Sequence, residues 1–203
     1  DNSSFNTSGG DFSISLWVYL DNKVGTQVFA SKYLGSGYAI YYESLSHAFV
    51  FSTYAGNDIT IGTSLGDPNT ATWYHIVGIH DSVAKTNTIR IDDQYQDTIT
   101  SVTDQPDTSG PFTIGAFSNG AYITNGRVDA VGFWKRKLTS AEVTQLYNSG
   151  SGLEISASDV TAPVISSVAS TTNQTTATIT WNTDENATSS VEYGTTTSYG
   201  LSS

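Results

Sequence analysis

The chain has 203 residues, with 19 Asp plus Glu against 8 Lys plus Arg and a net charge of −11 at pH 7. That balance speaks against nucleic acid as a partner and against charge-driven membrane adhesion, both of which need basic patches. No apolar run approaches the ~18 residues of a membrane-spanning helix, and with no cysteine the fold cannot rest on disulfides, which is neutral about secretion.

Aromatic residues are 12% of the chain, and Thr, Ser, Gly and Asn are plentiful, a mixture that favours strands joined by many turns. The chain opens at Asp1 without Met or a visible leader, so it reads as a mature, processed or excerpted sequence. Residues 1–10 are polar and turn-like. Residues 12–20 then alternate, with Phe12, Ile14, Leu16, Val18 and Leu20 on one face and Ser13, Ser15, Trp17 and Tyr19 on the other. Residues 27–33 and 38–42 read as a hairpin around residues 34–37, and 47–54 and 59–62 as a second around 55–58. A strand over 72–80 follows. Strands 88–91 and 95–99 pair around Asp92 and Asp93, and 112–117 precedes a loop over 118–125.

Residues 126–134 form the next strand. Strict alternation sets Val128, Ala130, Gly132 and Trp134 against Asp129, Val131 and Phe133. Both rows are largely apolar, which predicts a central strand covered on both faces. Lys135, Arg136 and Lys137 turn outward. Thr139 with Glu142 three residues later makes a capping box, and Leu138 and Val143 occupy the staple positions. Val143, Leu146 and Tyr147 form the apolar stripe of a short helix, which Gly150 is placed to stop. From Ser151 the composition becomes linker-like up to Pro163. Strands are then expected over 164–169, 177–181 and 190–193. Closely spaced strands with one late helix predict an all-β sandwich over 1–153, a linker over 154–163 and a partial β segment over 164–203.

The run GRVDAVGFWKRKLTSAEVTQLY (126–147) resembles the closing signature of laminin G-like domains, a concanavalin A-like jelly-roll class. The runs DFSISLWVYL (11–20) and WYHIVGIHD (73–81) with TIRIDDQYQD (88–97) resemble its earlier strands, in the same order. The resemblance implies a jelly-roll sandwich with one short late helix. Only about ten residues precede the first matching strand, so strands seen earlier in the family are either removed or supplied by another chain. Ala162-Pro163, ATITW (177–181) and SVEYG (190–194) are similar to the opening of a fibronectin type III-like domain, in about 40 residues where such a domain needs about 90–100.

Fold leaves function open, so candidate sites must be weighed residue by residue. His75 and His80 share a strand at odd separation and face opposite sides, so they form no metal clamp; His47 lies apart. No paired-carboxylate run, nucleophile elbow, phosphate loop or zinc spacing occurs, and the chain reads as a non-enzyme. Related jelly rolls carry a structural calcium; the resemblance implies Asp129 as its ligand, with Asp11 as co-ligand. Arg127 or a backbone amide would satisfy Asp129 equally well. Asp92-Asp93 and the acidic loop 104–107 read as solvated turns. A glycan is the ligand implied by a lectin-like domain, stacked on exposed aromatics and read by polar side chains. The binding set is Tyr38, Asn119, Tyr122 and Asn125, with Tyr33, Tyr41 and Tyr54 as further aromatics. Trp17, Trp73, Trp134 and Trp181 read as core. Sequons stand at Asn2, Asn6, Asn173 and Asn186.

Two functional readings follow. One is a non-catalytic recognition or adhesion module of a larger extracellular or cell-surface protein, glycan-binding and calcium-stabilised. The other is a structural subunit of an extracellular filament or sheath, a homopolymer assembled by β-strand exchange with neighbouring subunits.

Overall fold

The computed structural model describes residues 3–34, 36–53, 58–153, 163–184, 187–194 and 201–202. The chain divides into two compact units, Asp1–Ile155 and Ser156–Ser203. Among the described residues of the first unit the strands are β1 (Phe12–Leu20), β2 (Gln27–Tyr33), β3 (Gly37–Glu43), β4 (Ala48–Thr53), β5 (Asp58–Ile61), β6 (Trp73–Asp81), β7 (Thr86–Ile91), β8 (Tyr95–Thr100), β9 (Phe112–Ile114) and β10 (Gly126–Trp134). They form two antiparallel sheets in the orders β10-β1-β6-β7-β8 and β5-β4-β3-β2-β9.

The alternation of β1 is realised as read. Phe12, Ile14, Leu16, Val18 and Leu20 are fully buried and face Phe29, Ile40, Phe49 and Phe51 of the opposite sheet and Ile76 and Ile89 of their own. Each such side chain contributes roughly 1.5–3 kcal/mol by leaving water. Phe12 sits among the rings of Tyr38, Phe51, His80 and Phe133, at centroid distances of 4.9 to 6.1 Å.

β10 departs from the expectation of a central, doubly covered strand. It lies at a sheet edge with β1 as its neighbour. Its register with β1 slips: Ser15 pairs with Gly132 and Trp17 with Asp129, so Ala130 and Val131 together stand opposite Leu16. This is a β-bulge, with Ala130 at a φ of 47°. The extra residue resets the alternation. Val128 joins Val131 and Phe133 against the core, while Arg127 and Asp129 share the outer face with Trp134. Strict alternation cannot anticipate an inserted residue. Strands β2, β3 and β4 are covered on both faces, their second face carrying Val28, Ala39, Tyr41 and Val50 under Ile61 and Phe117.

The helix α1 (Ser140–Tyr147) has the anticipated cap. Glu142 N donates to Thr139 Oγ1 at 3.3 Å, and Thr139 N donates to Glu142 Oε2 at 2.8 Å. Arg136 forks onto the same Glu142 carboxylate at 2.6 and 2.9 Å and, with the cap, holds it well below the usual carboxylate range, at about 2. The helix stops earlier than Gly150, because Asn148 takes the left-handed conformation at a φ of 47° and donates its N–H to Thr144 O. Leu138 and Val143 are buried with Val77 and pack against Ile79, Trp134 and Leu146, which seats the helix on the outer face of β10-β1-β6.

In the second unit β11 (Ile165–Thr172) pairs antiparallel with β12 (Ala177–Thr183), and β13 (Glu192–Tyr193) with β14 (Leu201–Ser202). The expected strand over 190–193 is thus only two residues long. Val164, Ile165, Val168, Ile179 and Tyr193 are exposed, and Trp181 is only partly covered rather than core. Most of the expected linker, residues 154–162, lies outside the described residues, as do Tyr54 and the sequons at Asn2 and Asn186.

Thr139→Ala removes one half of a reciprocal cap and is expected to lower unfolding free energy by about 1 kcal/mol, read as a drop in urea midpoint at unchanged slope. Thr139→Ser should keep the midpoint, and an unchanged midpoint for the alanine variant would show that the cap does not stabilise this helix.

Candidate functional site

Antiparallel register places cross-strand partners on one face of a sheet. On the outer face of β10-β1-β6 it assembles two rows, Asp129–Trp17–His75 and Arg127–Tyr19–Trp73. Trp17 packs on His75 at 5.2 Å and stacks on Tyr147 of α1 at 5.9 Å. Tyr19 meets Trp73 at 5.5 Å, and the Arg127 guanidinium lies 4.4 Å above the Tyr19 ring. The helix closes over His75 but leaves Trp73 38% exposed.

The segment after α1 returns along Trp17 and makes the second wall. Gly152 N donates to Tyr147 O at 3.2 Å, and Asn148 Nδ2 donates to Gly152 O at 2.8 Å, which pins the turn to the helix end. Gly152 has a φ of 71°, and a Cβ there would stand 3.2 Å from Trp17 Nε1, so glycine permits the close approach. Between the walls lies an open cleft of about 360 Å³, lined by Trp17, Trp73, Asp129, Ala130 and residues 150–153. Asp129 is the one carboxylate among these lining residues, so the cleft lacks the carboxylate pair that glycoside hydrolysis uses. Its aromatic faces and polar edge suit stacking and hydrogen bonding instead.

Beneath the aromatic row the sheet is braced. His75 Nε2 lies 2.7 Å from Ser15 Oγ, and its Nδ1 is buried with no partner among the described residues. Burial lowers the His75 pKa to about 4, against the opposing pull of Asp93. Asp92 and Asp93 are not a solvated turn. Both have positive φ; Asp92 accepts the His75 N–H at 2.8 Å, and Asp93 accepts from Arg90 at 2.5 Å and from Thr144 Oγ1 at 2.7 Å, joining the β7–β8 turn to the helix. Nor is loop 104–107 merely solvated, since Asp104 pairs with Lys85 at 2.5 Å and Asp107 accepts from the Ser8 N–H at 2.6 Å. On the inner face His80 bonds Asn87 Oδ1 at 2.8 Å, opposite in direction to His75 as anticipated.

The expected binding set is not assembled in this cleft. Tyr38 is 1% exposed in the core and donates its hydroxyl to Phe5 O at 2.7 Å, so no sugar can stack on it. Asn119, Tyr122 and Asn125 stay together in the loop before β10, and none of them lines the cleft. Asn119 Oδ1 accepts the Ala121 N–H at 3.0 Å, the Asn125 N–H is taken by Gln27 Oε1 at 2.8 Å, and Tyr122 presents a half-exposed ring against Phe117 at 5.6 Å.

The calcium pair is also separated. Asp11 precedes β1 while Asp129 pairs with Trp17, six residues along the same strand, a span of about 20 Å. Asp11 Oδ1 accepts from Ser82 N and Oγ at 2.8 and 2.6 Å, and Asp129 Oδ1 accepts the Ala130 N–H at 2.7 Å. These two carboxylates therefore do not fit a shared calcium, and no group of three or more His, Asp or Glu stands together among the described residues.

Trp17 and Trp73, expected in the core, instead stand on the outer face with Tyr19, because β1 and β6 carry them on the side opposite the apolar row. One signal was available: Trp17 and Tyr19 continue the Ser13–Ser15 row, opposite to the apolar row that fills the core.

A family profile described as the Concanavalin A-like lectin/glucanases superfamily matches residues 1–144. No curated protein matches the chain in sequence. Among solved structures, a heptameric SAP-like pentraxin from Limulus polyphemus aligns at a TM-score of 0.53 and 15% identity, over 70% of this chain and 71% of that one. A Bacteroides ovatus protein assigned to carbohydrate binding aligns at 0.56 and 16% identity, over 66% of this chain and 40% of that one. The binding domain of Paraclostridial Mosquitocidal Protein 1 aligns at 0.56 and 22% identity, over 74% of this chain and 40% of that one. The chain thus spans less than half of the latter two, and at these identities the likeness is one of fold.

The depressed His75 pKa sets a pH window. Above pH 6.5 the imidazole is neutral folded or unfolded; below it the unfolded chain takes up a proton that the folded chain refuses until about pH 4, so stability falls as pH drops through this interval. Between pH 7 and pH 5 the loss should be about 2 kcal/mol, at 1.36 kcal/mol per pH unit below 6.5. Urea midpoints at the two pH values should show that loss in the parent and a much smaller one in His75→Gln. Equal losses in both proteins would remove His75 as the cause.

Proposed function

The chain belongs to the Concanavalin A-like lectin/glucanases superfamily, and from that premise we propose that its sandwich is a non-catalytic, glycan-binding recognition module of an extracellular or cell-surface protein. The observation that carries the reading is the outer-face cleft, where the partly exposed Trp73 and the more covered Trp17 stand beside the exposed Asp129 carboxylate. Sugar rings present C–H faces that stack on indoles and hydroxyls that a carboxylate accepts. A single lining carboxylate supports recognition over hydrolysis. The fold shared with a protein assigned to carbohydrate binding and with a toxin's binding domain points the same way. Among the described residues no helix is long and apolar enough to cross a membrane.

A second reading has its own support. Val164, Ile165, Val168, Ile179 and Tyr193 are exposed in the second unit, whose strands pair two by two. Two-stranded pairs with apolar side chains outward are marginal alone and offer open edges. Completion by strands of a neighbouring subunit would make a filament, and the resemblance of 162–194 to the opening of a fibronectin type III-like domain belongs to this reading. Light scattering separates the two: a mass near 21.7 kDa supports the module, and a large polydisperse species supports the polymer.

Screening the protein against a glycan array should give binding, and Trp73→Ala should weaken the best ligand at least about fivefold, within the range of one lost aromatic contact. Absence of binding by folded protein across the array, or an undiminished Trp73→Ala variant, would count against this cleft.

A further inference from the structure

We propose that the cleft selects glycans bearing protonated amines, such as oligomers of unacetylated glucosamine, over their N-acetylated and acidic counterparts. This preference presupposes the glycan reading above and adds to it the charge of the ligand.

Asp129 is the one ionisable side chain among the lining residues. Its Oδ1 accepts the Ala130 N–H at 2.7 Å, while Oδ2 has no hydrogen-bond partner among the described residues, and the side chain is exposed. A carboxylate placed this way has a free acceptor turned to whatever enters. An ammonium donor makes a charge-assisted bond there, stronger than the bond from a neutral hydroxyl.

No nearby cation bonds it directly. Arg127 shares the outer face two residues away, but its guanidinium is seated over Tyr19 at 4.4 Å, and it does not line the cleft. Beyond the far end of β10, Arg136 is forked onto Glu142 and Lys137 is paired with Asp81 at 2.5 Å. Lys135 is six residues from Asp129, about 20 Å along an extended strand and beyond the Debye length of ~8–10 Å. The chain's net charge of −11 adds a long-range field of the same sign.

The aromatic walls act in the same direction. An ammonium beside the exposed ring of Trp73 gains a cation–π contact that an acetamide does not. A uronate meets the opposite situation: a like charge facing Asp129, with no free cation in the cleft to pair with it.

The test is calorimetric titration of the full chain with tetramers of glucosamine, N-acetylglucosamine and galacturonate, at about pH 6, where the sugar amine is charged and most of the His75-linked stability remains. The glucosamine tetramer should bind at least about fivefold more tightly than its N-acetylated form, with galacturonate weakest, and added salt should shrink the gap. In Asp129→Asn the ratio of the two affinities should fall close to one. Equal affinities in the parent, or a ratio that survives Asp129→Asn, would overturn the amine preference while leaving a glycan site in place. Failure of all three tetramers to bind folded protein would overturn the amine preference alone where the array yields another glycan, and both readings where the array also yields none.

Discussion

The whole first unit hangs on the hydrogen-bond register of β1. It is the one strand paired on one side to β6 and on the other to β10, and its residues are divided between two tasks. The even-numbered side chains from Phe12 to Leu20 fill the space between the sheets. The odd-numbered ones are carried outward by the same backbone geometry, and they become the floor of the helix seat at Ser13 and Ser15 and of the cleft at Trp17, with Tyr19 beside it against Trp73. A one-residue slip would exchange the two sets, so burial of five large side chains enforces the position of the surface aromatics as firmly as that of the core.

The helix turns that face into a site by covering only part of it. Several independent ties hold it in place: Leu138 and Val143 buried against Val77, the Tyr147 ring stacked on Trp17, and the Thr144 hydroxyl on Asp93. Because Asn148 ends the helix, the chain is free to double back through Gly150 and Gly152 instead of extending over Trp73. An aromatic surface otherwise continuous across the sheet is thus divided into a packed half, with neutral buried His75, and an open half.

Much of this fold was legible in the residues. The alternation over 12–20, the hairpins, the order of the elements and the Thr139–Glu142 cap follow from local periodicity and side-chain chemistry, which act over a few residues and leave a local trace. The site was less legible because it is built from pairing between strands far apart in sequence. Nothing near Trp73 says that Tyr19 will lie beside it, and nothing near Asp11 says that Asp129 will be a strand's length away. Tyr38 illustrates a different limit. A tyrosine next to a turn reads as available, yet here its ring is core and its hydroxyl donates to the backbone carbonyl of Phe5. Asp92, Asp93, Asp104 and Asp107 are similar: acidic turn residues look solvated until their long-range partners are known.

The bulge at Ala130 makes β10 two short strands joined out of phase. The segment before it presents Arg127 and Asp129 outward beside Trp17 and Tyr19, and the segment after it presents Gly132 and Trp134 outward beneath α1. The bulge alone lets both segments keep these faces. Flattening the bulge with all of its residues kept would rotate one half of the strand, either driving a guanidinium and a carboxylate toward Leu16 and Val18 or pulling Phe133 out from between Phe12 and Tyr38, whereas removing one of Ala130 and Val131 would leave both halves in phase with β1. The spacing between Asp129 and Trp134 is therefore an odd number of residues only because the bulge absorbs one of them, and a strand one residue shorter there would present the same two faces without it.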